Sequence, residues 1–295
     1  MNCVARSVRD ERSWRLRAGP VVRKMMKSTI GKPRGILNLK AGEKKFQLSR
    51  HLPAQDLSFF VERYWIVSWD LRGQEPYVQE TLSYPCVNLV IEEDQSRVYG
   101  VGKGKFARLL ENEGRVFGIK FKPGAFYPFV KLPVSQFTND SISCWEAFGV
   151  DCKALEEAIL SREDEGEMVA LAETFLRERL PEQDKNVRVI NEVVDYIIAH
   201  REITKVDDVV SQLNLNKRTL QRLFRQYVGV SPKWVIKRYR LHEVAERLAG
   251  GEVVDWPGMV VELGYSDQAH FIKDFKTIVG KTPAEYALHI IDAGS

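Results

Sequence analysis

Between Asn216 and Arg240 the chain places eight basic residues and no acidic one. Arg218, Gln221, Arg222 and Arg225 follow a spacing of i, i+3, i+4 and i+7, which puts them on one face of a helix. Leu220, Leu223 and Phe224 fall on the other face. A guanidinium can donate two parallel bonds to guanine, and a glutamine amide can pair twice with adenine. Lys217, at the start of the same run, adds an ammonium suited to phosphate. A solvated scaffold helix normally interleaves Glu or Asp among its cations. This run has none, so it suits an anionic surface better than a salt-bridged one.

The same text returns 51 residues later: Val209-Val210 matches Val260-Val261, Asn216 matches Asp267, and Leu220 and Phe224 match Phe271 and Phe275. Gly229 matches Gly280, and Pro232 matches Pro283 within Val-Gly-Val-Ser-Pro and Val-Gly-Lys-Thr-Pro. Each matched residue has a structural task. Asn and Asp cap a helix start, the apolar pair four residues apart gives one buried face, and Gly closes the helix. Ser or Thr before Pro then opens the next helix, and Thr282 with Glu285 reads as a capping box. A short helix, a turn and a second helix is the unit whose second helix enters a DNA major groove. A helical-hairpin repeat in a scaffold protein has the same spacing; the acid-free basic stripe favours the groove-reading use. In the second copy Phe271, Phe275 and Ile278 take the core, and Gln268, Ala269, His270, Lys273 and Lys276 are left for the groove, with Asp274 turned away. Its poorer charge predicts weaker or more sequence-tolerant contacts. His270 fits groove exposure and a core position equally well.

The elements around these units follow from periodicity. Val187, Ile190, Val194 and Ile197 mark a helix, Val206–Gln212 a shorter one, and Ser231-Pro232 the start of a long helix with Trp234, Leu241, Val244, Ala245 and Leu248 buried, ended by Gly250-Gly251. From 35 to 140 the chain reads as strands: Val61–Trp69, Val87–Ile91, Arg97–Val101 and Val116–Phe121 are separated by Gly and Pro turns. Ala125–Val130 fits a helix or a further strand. Residues 141–180 read as a helical connector, with Leu155, Ile159, Met168, Leu171, Phe175 and Leu176 at helical spacing and a charged break at Ser161–Glu167. Residues 181–186 read as a polar linker opened by Pro181. The fold class expected is α+β, a strand-rich part followed by an all-α part with two helix-turn-helix units.

At 295 residues, with 44% hydrophobic and 28% charged residues, the composition is that of an ordinary globular protein, and no apolar run is long enough to span a membrane. The net charge of +4 is too small to argue nucleic-acid binding by itself; its distribution carries the argument. Besides 216–240, the first 24 residues hold seven basic residues against Asp10 and Glu11. Residues 1–34 fit a disordered basic tail, a transit-like segment, or an extension preceding a start at Met25 or Met26. The four cysteines, Cys3, Cys86, Cys144 and Cys152, form no C-x-x-C pair and are expected as free thiols in a reducing compartment.

The text Leu263–Gly280 with the following Lys-Thr-Pro-Ala-Glu-Tyr, together with Asn216–Pro232, resembles the AraC-type (AraC/XylS) transcriptional regulators. The resemblance covers about Val187 to Tyr286, placed within a domain of 187–290. It implies seven helices, with the helix from Pro232 to Ala249 holding two reading helices apart so that they enter successive groove segments about 34 Å apart. Asn216 stands where members of this family often have serine, and it caps as well. Val61–Trp65, Tyr84-Pro85, Asn88–Val90, Val101-Gly102 and Gly118–Ala125 resemble the amino-terminal domain of one branch of the family. That implies a cupin-like sensing or dimerisation domain, with no known effector carried over.

The expected partners are therefore double-stranded promoter DNA, a small-molecule effector, a second copy of the chain, and RNA polymerase if the protein activates. A bacterial cytoplasmic setting at the nucleoid is expected, with no membrane partner. A cupin metal centre needs clustered His and Glu, and the strand-rich half has only His51, so no metal or other cofactor is expected. An enzyme such as a DNA-repair protein fused to the helical domain would need a nucleophile with a base, or a metal cluster, and neither is visible. Trp65, Trp69, Tyr84, Tyr99 and Phe121 are read mainly as core, with a small-molecule pocket as the alternative.

Overall fold

The computed structural model describes residues 35–37, 42–250 and 255–294, with side chains through Leu288. The basic segment 1–34 and Cys3 lie outside the described residues. Eight strands come first in the chain: β1 (Gln47–His51), β2 (Val61–Asp70), β3 (Tyr77–Leu82), β4 (Asn88–Ile91), β5 (Arg97–Tyr99), β6 (Lys105–Leu110), β7 (Glu113–Phe121) and β8 (Ser141–Ser143). Six form one antiparallel sheet in the order β1-β2-β7-β4-β5-β8, and β3 pairs with β6 as a separate ribbon. A helical region follows, so the chain has the α+β order expected of it.

The four runs read as strands lie at β2, β4, β5 and β7. Tyr64 sits opposite Ile119, and Leu89 opposite the same residue on the other side. Tyr64, Ile66, Leu89, Ile91, Phe117, Ile119 and Phe121 are buried on the sheet. Trp65 and Trp69 face glycines across the β2–β7 pair, Gly118 and Gly114, and cover them with their indoles. These rings take up space a side chain would fill on β7, and Phe121 is fully buried core. Ala125–Val130 resolves to a helical turn, α1 (Tyr127–Val130).

Four helices include the connector: α2 (Cys144–Phe148), α3 (Lys153–Leu160), α4 (Glu165–Arg177) and then α5 (Lys185–Ala199). Ser143 begins α2 with a full capping box to Glu146. Asp164 and Asp184 cap α4 and α5 through their carboxylates. Three expectations change here. Ser141–Ser143, placed at the head of the helical connector, is the edge strand β8, paired with β5. Lys185 and Asn186, placed in the linker, already belong to α5. Cys144 and Cys152 are joined in a disulfide, against the reading of free thiols. The reason is local. Gly149 ends α2 in the left-handed conformation, and the chain turns so that the two Cα atoms stand 5.7 Å apart, within disulfide range. Cys86 stays a buried thiol, pushed up to about 12 by burial.

The remaining helices are α6 (Val206–Gln212), α7 (Lys217–Leu223), α8 (Pro232–Ala249), α9 (Trp256–Glu262), α10 (Gln268–Val279) and α11 (Pro283–Gly294). One continuous core runs from Leu57 in the sheet half through α3–α7 to Val235 and Ile236 at the start of α8. A second core joins Leu241, Val244, Ala245 and Leu248 of α8 to α9, α10, Tyr286, and to Leu37 and Leu82. The boundary between cores therefore falls within α8, not at residues 181–186.

Candidate nucleic-acid interface

The first reading unit is α6 and α7. Asn216 has extended backbone angles and its side chain accepts the Thr219 amide at 3.0 Å, which satisfies one of the orphan donors that open α7. Leu220, Leu223 and Phe224 are buried. Lys217, Arg218, Gln221, Arg222 and Arg225 are all exposed, as is the cap. Asn216, Arg218, Thr219, Gln221, Arg222 and Arg225 together line a shallow hollow of about 480 Å³. Beyond Leu223 the helix widens into a π turn, Phe224–Val228, closed by Gly229 with φ 90°. Wide turns of this kind recur at functional sites.

The basic run is less free than it reads. Lys217 is held by both carboxylate oxygens of Asp207, at 2.7 and 2.9 Å. Lys237 pairs with Asp274. Arg238 and Arg240 are buried on α8, and the Nη2 of Arg240 donates to the Ile203 carbonyl. Trp234, expected in the buried stripe, is only half-buried. Arg218, Arg222, Arg225 and Lys233 thus remain as exposed cations of this run that form no ion pair among the described residues. The first three of these share the stripe with Gln221.

The second unit, α9 and α10, repeats the frame. Asp267 accepts the His270 amide at 2.8 Å, and that bond holds its carboxyl below the ordinary carboxylate range. Phe271, Phe275 and Ile278 are buried. Gln268, Ala269, His270, Lys273 and Lys276 are exposed, and Gly280 closes α10 with φ 86°. Asp274 turns inward, where it pairs with Lys237 and stands 3.4 Å from His270 Nε2. His270 is therefore exposed on the helix yet tethered to an acid, with its ring edge-on to Tyr265 at 5.4 Å. Thr282 and Glu285 form the capping box that opens α11.

Two helix pairs of one design, each with its second helix facing solvent, match what is known of a domain family. Residues 209–288 match the helix-turn-helix domain family. The carboxy-terminal part is an AraC-type helix-turn-helix domain. Ahead of this AraC-type domain, residues 49–143 match a domain of unknown function (DUF6597). Among curated relatives, the chain is 25% identical over 170 residues to the HTH-type transcriptional regulator YtdP of Bacillus subtilis (strain 168), covering 53% of this chain and 22% of YtdP. It is 26% identical over 125 residues to the Msm operon regulatory protein of Streptococcus mutans, covering 42% of this chain and 45% of the relative. It is also 26% identical over 103 residues to the probable transcription factor PqrA of Proteus vulgaris, covering 33% of this chain and 82% of PqrA. The chain spans less than half the length of YtdP and of the Msm protein. Among solved structures, ToxT of Vibrio cholerae O395 aligns over 84% of this chain and 98% of its own, at 12% identity and TM-score 0.36.

Among the described residues no group of three His, Cys, Asp or Glu is placed to hold a metal ion. No described helix is long and apolar enough to cross a membrane. Sequence reasoning missed the pairings that occupy part of the basic run, Asp207 with Lys217 and Asp274 with Lys237. Both acids lie on helices whose pairing with α7 and α8 depends on the fold.

Proposed function

We propose that the chain is a one-component transcription regulator that reads promoter DNA through α7 and, more weakly, α10. The sheet half would supply the sensing or dimerising part. One observation carries this reading: Arg218, Gln221, Arg222 and Arg225 stand on one exposed helical face with no acidic partner. That face offers bidentate donors at the spacing of a groove-entering helix. The likeness to the YtdP and Msm regulators supports it. Double-stranded promoter DNA is the primary partner; a small molecule or a second copy of the chain would meet the sheet half, and RNA polymerase would join if regulation is activating.

The test is selection of bound sequences from a random duplex pool with the full chain, because a fragment starting at α5 would cut through the continuous core. Arg218→Ala and Arg222→Ala are then measured on the selected site. Each should weaken binding by about 1–3 kcal/mol and relax preference at one base position. A pool that yields no preferred sequence would overturn the reading. A uniform fall on all sequences would reassign these arginines to phosphate contacts.

A further inference from the structure

The helix between the two units carries a buried charge that nothing nearby balances. Arg238 on α8 has no exposed surface. Its Nη2 donates to the carbonyls of Gly102 and Gly104 at 3.0 and 2.8 Å, across from the helical domain to the β5–β6 loop. Its Nε and Nη1 have no hydrogen-bond partner, and it forms no ion pair among the described residues. The Trp234 ring lies 4.8 Å from the guanidinium carbon. Burial holds the group down at about 10, so it is still charged at neutral pH. Buried charges are ordinarily paired, and an uncompensated one is among the costliest features a fold can hold.

One turn further along the same face, His242 is also buried and neither ring nitrogen makes a hydrogen bond of ordinary geometry. Burial first, then Arg238 and Lys120, depress it to about 3, only partly opposed by the Ser83 backbone. It is neutral as it stands. The Tyr84 ring packs edge-on to it at 4.5 Å, and the Lys120 ammonium lies 4.1 Å from the centre of that same ring. Lys120 pairs with Glu62 at 3.1 Å, a carboxylate that it shares with Arg63 at 3.2 Å. The cluster therefore holds an unmatched positive charge and unused donors on two residues, walled by Trp234, Tyr84 and Tyr239. Its cover is thin. Gly102, Lys103 and Gly104 form a short surface loop, and the Cβ position of Gly104 opens onto empty space.

We propose that Arg238 and His242 form a binding site for a compact oxyanion, a carboxylate or a phosphate, admitted beneath the Gly102–Gly104 loop. An oxyanion there balances the guanidinium and supplies an acceptor to its open Nε and to the imidazole. Nε shares its donor edge with Nη2, so an anion on that edge competes with the two neutral carbonyls for Nη2 and loosens the loop's hold on α8, the helix that spaces α7 and α10. That consequence deepens the reading of the sheet half as a sensor and rests on it; the binding itself does not.

The experiment is thermal melting of the full chain in chloride buffer, titrated with sodium acetate or sodium phosphate against sodium chloride at matched ionic strength. At a roughly fivefold excess over Kd, the bound anion should raise the melting temperature by about 2–4 °C beyond the chloride control. A shift with acetate alone identifies a carboxylate site, with phosphate alone a phosphate site, and with both a pocket that accepts either. Arg238→Met removes the charge with similar volume, should melt no lower than the parent in chloride, and should abolish the anion shift. His242→Phe keeps the ring against Tyr84 and should raise the anion's apparent Kd at least several-fold. No shift with either anion, or a shift unchanged in both variants, would overturn the site. Failure of DNA recognition would show in binding by the anion-free chain and leave the melting shift in place, so the two ideas fail separately.

Discussion

The two helix-turn-helix units share caps, core positions and closing glycines, yet they are attached to the rest of the molecule in different ways. The first is built into the sheet half. Thr138 Oγ1 donates to the Gly229 carbonyl at 2.9 Å, Gln226 donates to the Tyr127 hydroxyl, and the Tyr127 and Tyr227 rings stand 4.2 Å apart. Asn191 reaches back to the Pro123 carbonyl at 3.2 Å. The second unit has its own core on the far half of α8 and touches the sheet half through Leu37, Leu82 and Lys105. An identical local pattern therefore serves as part of one cooperative body in the first copy and as a nearly separate lobe in the second. The first unit thus shares one core with the sheet half, whereas the second meets it at a few side chains and through α8.

The strongest way to break that contrast is to empty matched core positions. Phe224→Ala and Phe275→Ala each remove a fully buried ring and should each cost about 3–5 kcal/mol. Phe224→Ala should lower amide protection in β2 and β7 as well as in α7, because one core connects them. Phe275→Ala should lower protection in α9–α11 and leave β2 and β7 near their original values. Hydrogen exchange reads both, and equal losses in the sheet from either variant would mean that the two lobes unfold as one.

How much of this was legible in the sequence follows from where the determining contacts lie. Caps, closing glycines and the Ser-Pro helix start act within a few residues, so α6, α7, α8 and α10 could be placed from text alone. The β3–β6 ribbon could not. Tyr77–Leu82 and Lys105–Leu110 alternate poorly and leave Val78, Phe106 and Leu109 exposed, so no inside–outside pattern marks them. β1 and β8 are edge strands, with only one neighbour each to impose a pattern. Arg238 and Arg240 counted as part of a basic surface because their acceptors, the carbonyls of Gly102, Gly104 and Ile203, are distant in the chain. The exposed stripe on α7 was readable since burial of Leu220, Leu223 and Phe224 dictates it. The capture of the neighbouring Lys217 by Asp207 was not, because nothing in a spacing of ten residues announces that pair.

The closing glycines sharpen the contrast. Both need φ near +90°, so Gly229→Ala and Gly280→Ala should each carry about 1–2 kcal/mol of backbone strain. A Cβ on Gly229 would also meet Thr138 Oγ1 at 2.7 Å and Val134 atoms at 3.0 and 3.1 Å, packing that cannot yield easily. A Cβ on Gly280 would meet the end of the Lys105 side chain at 2.7 Å, which can swing aside. Gly229→Ala should therefore lose a further ~1–3 kcal/mol by overpacking. Denaturant melts measure the difference, and equal losses would remove the docking of the first unit on the sheet half from the account.

On DNA the units should separate by kind of contact. Arg222→Ala should cost about 1–3 kcal/mol on the selected site and little on random duplex. Lys273→Ala should weaken both alike and lower the slope of log K against log salt by about one. A salt series on both duplexes resolves this. Base-specific loss at Lys273, or a uniform loss at Arg222, would reverse the roles assigned to α7 and α10.

The smallest effect separates the caps themselves. Asn216 does not titrate, whereas Asp267 does, and the His270 amide holds its carboxyl below its ordinary value. A lowered folded pKa means the cap's contribution is complete above the unfolded value of about 3.9 and is lost as pH falls through the folded value. Acid should therefore loosen α10 before α7. Other carboxylates titrate in the same window, so the decisive comparison is with Asp267→Asn, which accepts the same amide bond and carries no proton. In that variant the first turn of α10 should keep its amide protection as pH falls below the unfolded value of an aspartate, where the parent progressively loses it. Parallel loss in parent and variant would trace the acid sensitivity of the second lobe to something other than its cap.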